Sequence, residues 1–145
     1  MSPIDQVLEL LRGQGAFHEP FEQIAGGDCV VSLEPSRLLP AIRRMLEAYP
    51  ELHLSAMTAR HDASGLVVLY HLWLGWGLSL RVVVPNETVE LPSLLDDMPA
   101  ADWYEREAYE LYGIRFSGRQ ELSPLLTSQS LGGRPPMGPN RGGGG

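Results

Sequence analysis

The stretch from Leu66 to Leu80 contains no Asp, Glu or Arg, and no other segment limits the possible fold so tightly. Within it, Leu66-Val67-Val68-Leu69-Tyr70-His71-Leu72-Trp73-Leu74 is apolar at odd and even positions alike. Successive residues of a strand face opposite sides, so such a run belongs inside a sheet with both faces covered. Gly75-Trp76-Gly77 interrupts it, and glycines on both sides of the tip supply the backbone angles that a tight reversal needs. Residues 65–74 and 77–84 therefore predict a hairpin. The rival is a membrane span, which requires ~20 apolar residues in one helix. The run is shorter, is rich in β-formers, and carries His71 and the central Gly-Trp-Gly.

The remaining elements follow from periodicity and punctuation. Ile4, Val7, Leu8 and Leu11 fall on one face of a helix over 3–13, with Ser2-Pro3 as its start and Gly13 and Gly15 as its stop. Residues 28–33 predict a short strand. Glu34-Pro35-Ser36 opens a helix over about 36–49, striped by Leu38, Leu39, Ile42, Met45 and Leu46 and ended by Pro50. Pro40 is expected in its first turn, where proline is tolerated. A further strand is expected over 52–59. Residues 85–101 form a connection punctuated by Pro85, Pro92 and Pro99, and a last helix spans about 103–112. The order predicts an α+β fold: a two-layer domain over 1–127, with a mixed β-sheet and helices on one face. Residues 128–145 are rich in Gly and Pro and too poor in apolar residues to offset ordering, which predicts a disordered tail.

Composition removes whole classes of chemistry. The 145 residues carry a formal charge of −7 and no basic run, which argues against nucleic acid and anionic lipid as partners. All eleven basic residues are Arg, so there is no Walker, Schiff-base or general-base lysine. Cys29 is the single cysteine; the chain has no pair for a disulfide and no thiolate set for an iron–sulfur cluster or structural zinc. The N-terminal residues lack the charged start and apolar stretch of a signal peptide. His18, His53, His61 and His71 occur without tight ligand spacing. His61-Asp62 is the best local pair for a catalytic reading, and His71, on an apolar strand, is expected to be a hydrogen-bonded core residue.

The segment Asp102-Trp103-Tyr104-Glu105-Arg106-Glu107-Ala108-Tyr109-Glu110-Leu111-Tyr112-Gly113-Ile114-Arg115-Phe116 is the most informative. It predicts a helix with Asp102 as cap, Glu105 at the third helical position in a capping box, and Gly113 as a left-handed C-terminal residue. Trp103, Tyr104, Leu111 and Ile114 are expected to anchor it. Arg106 and Glu110 have the spacing of an ion pair in the less favourable order. Such exposed pairs contribute only ~0.3–0.5 kcal/mol, so local stability does not account for Glu105-Arg106-Glu107. One reading is a solvated charged face; the other is a helix whose charges meet a neighbouring polypeptide.

The run W-Y-E-R-E-x-Y-[DE]-L-Y-G-I-x-F-x-G resembles the signature of the 30 kDa subunit of NADH-quinone oxidoreductase (respiratory complex I). Tyr70-His71-Leu72 and Leu80-Arg81-Val82 look like two strands of that family, and Val89-Glu90-Leu91-Pro92-Ser93-Leu94 resembles the segment leading into its helix. The resemblance covers roughly residues 52–126. It departs after Gly118: Arg119 and Gln120 stand where the family usually has His-Pro, and Ser123-Pro124 stand where it has two arginines. Glu110 replaces the usual Asp.

The resemblance implies a subunit without a cofactor of its own, lying in the peripheral arm of a proton-translocating complex on the cytoplasmic side of the membrane. NADH, FMN, iron–sulfur clusters and quinone would belong to the whole complex. The partners implied are the large quinone-site subunit and the iron–sulfur subunits, with membrane association only through them. Trp103, Tyr104, Glu105, Arg106, Glu107, Tyr109, Glu110, Tyr112, Gly113, Ile114, Phe116 and Gly118 form the implied motif and interface set, with no catalytic, cofactor-binding or metal residue among them. Two alternatives keep a binding role: the equivalent subunit of a membrane-bound energy-converting nickel–iron hydrogenase, and a free-standing protein-binding module. A stand-alone enzyme is the third.

Overall fold

The computed structural model describes the backbone of residues 3–13, 18–23 and 29–119, and the side chains of 5–11 and 29–119. Two compact units divide the chain between Val83 and Val84.

The first unit is a mixed sheet with two helices. Helix α1 spans Pro3–Gly13, strand β1 His18–Gln23, strand β2 Cys29–Leu33 and helix α2 Pro35–Ala48. Strands β3 (His53–Asp62), β4 (Gly65–Trp73) and β5 (Gly77–Val83) follow as an antiparallel meander. The spatial order is β1-β2-β5-β4-β3, with β2 parallel to β5 and antiparallel to β1. The apolar run thus sits between two strands. Leu66, Val67, Val68, Leu69 and Tyr70 are buried consecutively, which requires cover on both faces. Residues 66–80 lie in two strands and the turn between them, which disposes of the membrane-helix reading. Among the described residues no helix is long and apolar enough to cross a membrane.

Helix α1 packs on α2, and α2 on β5. Their buried residues are Val7, Leu8 and Leu11 in α1 and Leu38, Ala41, Ile42 and Met45 in α2. Pro40 lies inside α2 and not in its first turn, because the helix begins with Pro35 at its own start. Proline there removes one backbone hydrogen bond, and the buried stripe on either side of it holds the turn. At the β4–β5 tip Gly75 has φ +89°, and the Leu74 N–H donates to the Trp76 carbonyl at 3.0 Å. Strand β1, with the polar sequence HEPFEQ, was not expected. It is an outer strand, where proline is tolerated.

The second unit holds a two-stranded parallel sheet and one helix. Strand β6 spans Glu90–Pro92, helix α3 Ala101–Tyr112 and strand β7 Arg115–Ser117, with Leu91 opposite Phe116. Gly113 ends α3 at φ +73°, and its N–H bonds the Tyr109 carbonyl at 2.8 Å, as the left-handed ending predicts. Ile114 is fully buried immediately after it. Val89, just before β6, has φ +50°, an unusual angle for a β-branched residue. Its carbonyl receives the Arg115 N–H at 2.9 Å, which ties the start of β6 to β7. The tail expected at 128–145 lies outside the described residues.

Candidate functional site

Helix α3 carries most of the motif set and shows two dissimilar faces. Its buried residues are Ala101, Glu105 and Ala108. Their spacing of four and three places them on one stripe, but the stripe contains no large apolar side chain. Its central member is a carboxylate with no solvent exposure.

Glu105 is held by three donors. The Ser93 hydroxyl donates to Oε1 at 2.7 Å, the Leu94 N–H to Oε2 at 2.8 Å, and Arg119 Nη1 to Oε1 at 2.8 Å. Ser93 Oγ in turn accepts the Leu95 N–H at 3.1 Å. The carboxylate therefore joins the segment after β6, helix α3 and the residue after Gly118. A buried carboxylate is tolerated only when paired and hydrogen-bonded in this way. Arg119 also donates through Nη2 to Asp102 Oδ1, which accepts Arg106 Nε at 3.2 Å as well. The Arg119 side chain is 6% exposed, and its Nε is buried without a hydrogen-bond partner.

The charges respond accordingly. The Arg119 hydrogen bond, followed by the Arg106 charge, holds the Asp102 carboxyl below its usual range despite some desolvation. Burial alone would lower the pKa of the Arg119 guanidinium, but its bonds to Glu105 and Asp102 outweigh that and raise it. Asp102 and Arg119 are thus each held in the charged form by the other. Chemically the cluster is a strut, since every Glu105 oxygen already accepts a bond from the chain itself.

Several expectations change. Asp102 does not cap: Ala100 occupies the cap position without a side-chain bond, and α3 starts earlier than expected. Glu105 therefore closes no capping box; it reaches across to Ser93, Leu94 and Arg119. Asp102 in the first turn still suits the helix dipole. It lies one turn before Arg106, the more favourable order for such a pair. Trp103, expected as an anchor, is 59% exposed, because the inward stripe is filled by Ala101, Glu105 and Ala108. Glu107 is exposed; Tyr104, Arg106, Tyr109, Glu110, Leu111 and Tyr112 are half-buried; Ile114 and Phe116 are buried. Gly118 is exposed with φ +86°, which turns the chain just before Arg119.

Sequence reasoning did not find Ser93 and Arg119 as members of this cluster. A signal existed for Arg119: it is a cation directly after a glycine, close behind a helix whose inward positions include a glutamate. The residues weighed for catalysis are occupied elsewhere. Asp62 accepts Arg81 Nη2 at 3.0 Å and the Ser64 N–H at 2.7 Å. His71 is half-buried, with Nδ1 2.9 Å from Ser79 Oγ and Nε2 3.0 Å from Thr58 Oγ1. The Cys29 thiol is fully buried, and burial pushes its pKa up, which makes it a poor nucleophile.

Residues 31–139 match the family described as respiratory-chain NADH dehydrogenase, 30 Kd subunit. An NADH-quinone oxidoreductase subunit from Methylobacterium radiotolerans is 47% identical over 70 residues, covering 47% of this chain and 33% of the relative. Its counterpart from Rhodopseudomonas palustris strain BisB18 is 28% identical over 120 residues, covering 77% of this chain and 60% of the relative. The chain thus spans about a third to three fifths of the length of these relatives. Among solved structures, the trypsin-resistant fragment of Nqo5 matches with a TM-score of 0.69 at 26% identity, over 82% of this chain and 98% of that one. The membrane-bound sulfane sulfur reductase, an archaeal respiratory membrane complex, contains a chain matching at TM-score 0.71 and 19% identity, over 92% of this chain and 81% of that one. At that identity the likeness is one of fold. With most of its length matched by the family, this chain belongs to the 30 kDa subunit family of respiratory-chain NADH dehydrogenase.

Proposed function

We propose that the chain is a structural, cofactor-free subunit in the peripheral arm of a proton-translocating NADH-quinone oxidoreductase, docked against the quinone-site subunit on the cytoplasmic side of the membrane. The observation that carries this reading is the closed carboxylate–guanidinium cluster in which Glu105, a member of the family motif, is matched by Arg119 just beyond the motif's last glycine. Glu105 is fully buried and bonded to Ser93, Leu94 and Arg119, so its part is to fix α3. A helix fixed in this way presents a constant outer face. Electron transfer between cofactors held by sister subunits depends on such fixed geometry, and NADH, FMN, iron–sulfur clusters and quinone are assigned to those subunits.

The test is affinity purification of the tagged chain from host membranes. Recovery of iron–sulfur subunits and a quinone-site subunit is the expected result. Turnover of a substrate by the isolated chain, or recovery without such partners, would overturn the reading.

A second reading changes only the host. That host is another energy-converting membrane complex, including the nickel–iron hydrogenase type, and the fold shared with a chain of the sulfane sulfur reductase complex supports it. A co-purified large subunit with two paired-cysteine nickel motifs would select the hydrogenase.

A further inference from the structure

We infer that the outward face of α3, centred on Trp103 and Glu107, is a receptor for a basic side chain, Arg or Lys, projecting from an apolar surface of a partner polypeptide. The inference deepens the docking reading above by naming what the partner must present.

The geometry comes first. Ala101, Glu105 and Ala108 define the inward stripe of α3. By helical spacing, Trp103 and Glu107 lie on the opposite side, one turn apart, with Cβ atoms about 5–6 Å from each other. Trp103 is 59% exposed and Glu107 is exposed. The inward side of the helix is secured by an ionic cluster, so the indole is not required for packing within the described residues. A large apolar side chain beside a carboxylate on a rigid helix has the form of an interface anchor.

Charge selects the occupant. Residues 84–119 contain eight carboxylates against three guanidiniums, a formal −5 of the chain's −7. Two of those guanidiniums, Arg106 and Arg119, are turned onto Asp102 and Glu105. An acidic surface with an open indole disfavours nucleic acid and anionic headgroups and favours a cation. A guanidinium or ammonium lying over the indole face gains a cation–π contact while its charge meets Glu107.

The experiment uses the assembled complex in its host membrane. Trp103→p-benzoylphenylalanine is photoactivated in place, and the adduct is mapped by mass spectrometry. The expected adduct lies on a polypeptide segment with an Arg or Lys within a few residues of the linked atom. In parallel, Glu107→Arg is expected to lower co-purification more than about tenfold, since like charges would then be juxtaposed, whereas Glu107→Asp retains it. Unchanged far-ultraviolet circular dichroism in Glu107→Arg would tie the loss to docking. An adduct to lipid, no adduct in an intact complex, or undiminished recovery of Glu107→Arg would overturn the inference. If quinone-enzyme subunits are recovered while position 103 stays unlinked, the docking reading stands and this inference falls. If the adduct maps to a basic segment of an unrelated complex, the inference stands and the choice of host falls.

Discussion

The sheet unit and the α3 unit cohere by opposite means. The sheet unit relies on apolar burial: five consecutive buried residues in β4 pair with a β5 that buries Leu78, Leu80 and Val82. The α3 unit places a glutamate where a leucine would ordinarily go, and matches it with an almost fully buried arginine. Apolar packing is non-directional and tolerates small shifts, whereas a buried ion pair holds only in good geometry. The sheet unit is thus built for general stability, and the α3 unit for one fixed orientation of its helix.

Removing the arginine tests this contrast most severely. Arg119→Ala leaves Glu105 buried with Ser93 and Leu94 alone, and the cost is about 3–5 kcal/mol. Hydrogen exchange should show lost protection in α3 with β4 unchanged; equal losses in both would show one cooperative structure in place of the contrast. The reciprocal change, Leu80→Ala, removes a fully buried side chain from β5 and should cost about 2–5 kcal/mol, now with β4 and β5 losing protection first.

Acid should separate the units with a smaller effect. The Asp102 carboxyl titrates below its ordinary value when folded, chiefly through Arg119. Its contribution to stability is fully present above the unfolded value of about 3.9, and is lost as pH falls through the folded value. Exchange rates in α3 should therefore rise below about pH 4, ahead of those in β4. Asp62 is lowered in the same direction by Arg81, but it lies at an exposed turn. The smallest effect belongs to Trp103→Ala, which should change stability by no more than about 0.5 kcal/mol. A larger loss in thermal unfolding would mean that the indole supports the fold.

The parts of the molecule readable in the sequence were those where one interaction dominates. The β4 run declared an interior strand because every position is apolar. Gly113 declared the end of α3 because a left-handed angle selects glycine. Trp103 misled because size and hydrophobicity normally mark an inward residue, and here alanines and a paired glutamate fill that side. Glu105 misled for the complementary reason: its partners Ser93 and Arg119 are distant in sequence, and only the folded chain brings three donors to one carboxylate. Strands β6 and β7, three residues each and one containing Pro92, are too short to show a period.

The parallel pairing of β2 with β5 sets an order of events at the ribosome. Cys29 pairs with Leu78 and Leu33 with Val82, so β2 and the whole of α2 are synthesised well before the partner strand exists. Contacts near in sequence form before distant ones, which makes the β3–β4–β5 meander the template and β2 the late arrival. Pulse-labelled refolding should show β4 amides protected before those of β2. Until then the emerging chain carries the buried faces of Val31 and Leu33 uncovered, and its safe passage depends on how soon translation reaches Val82.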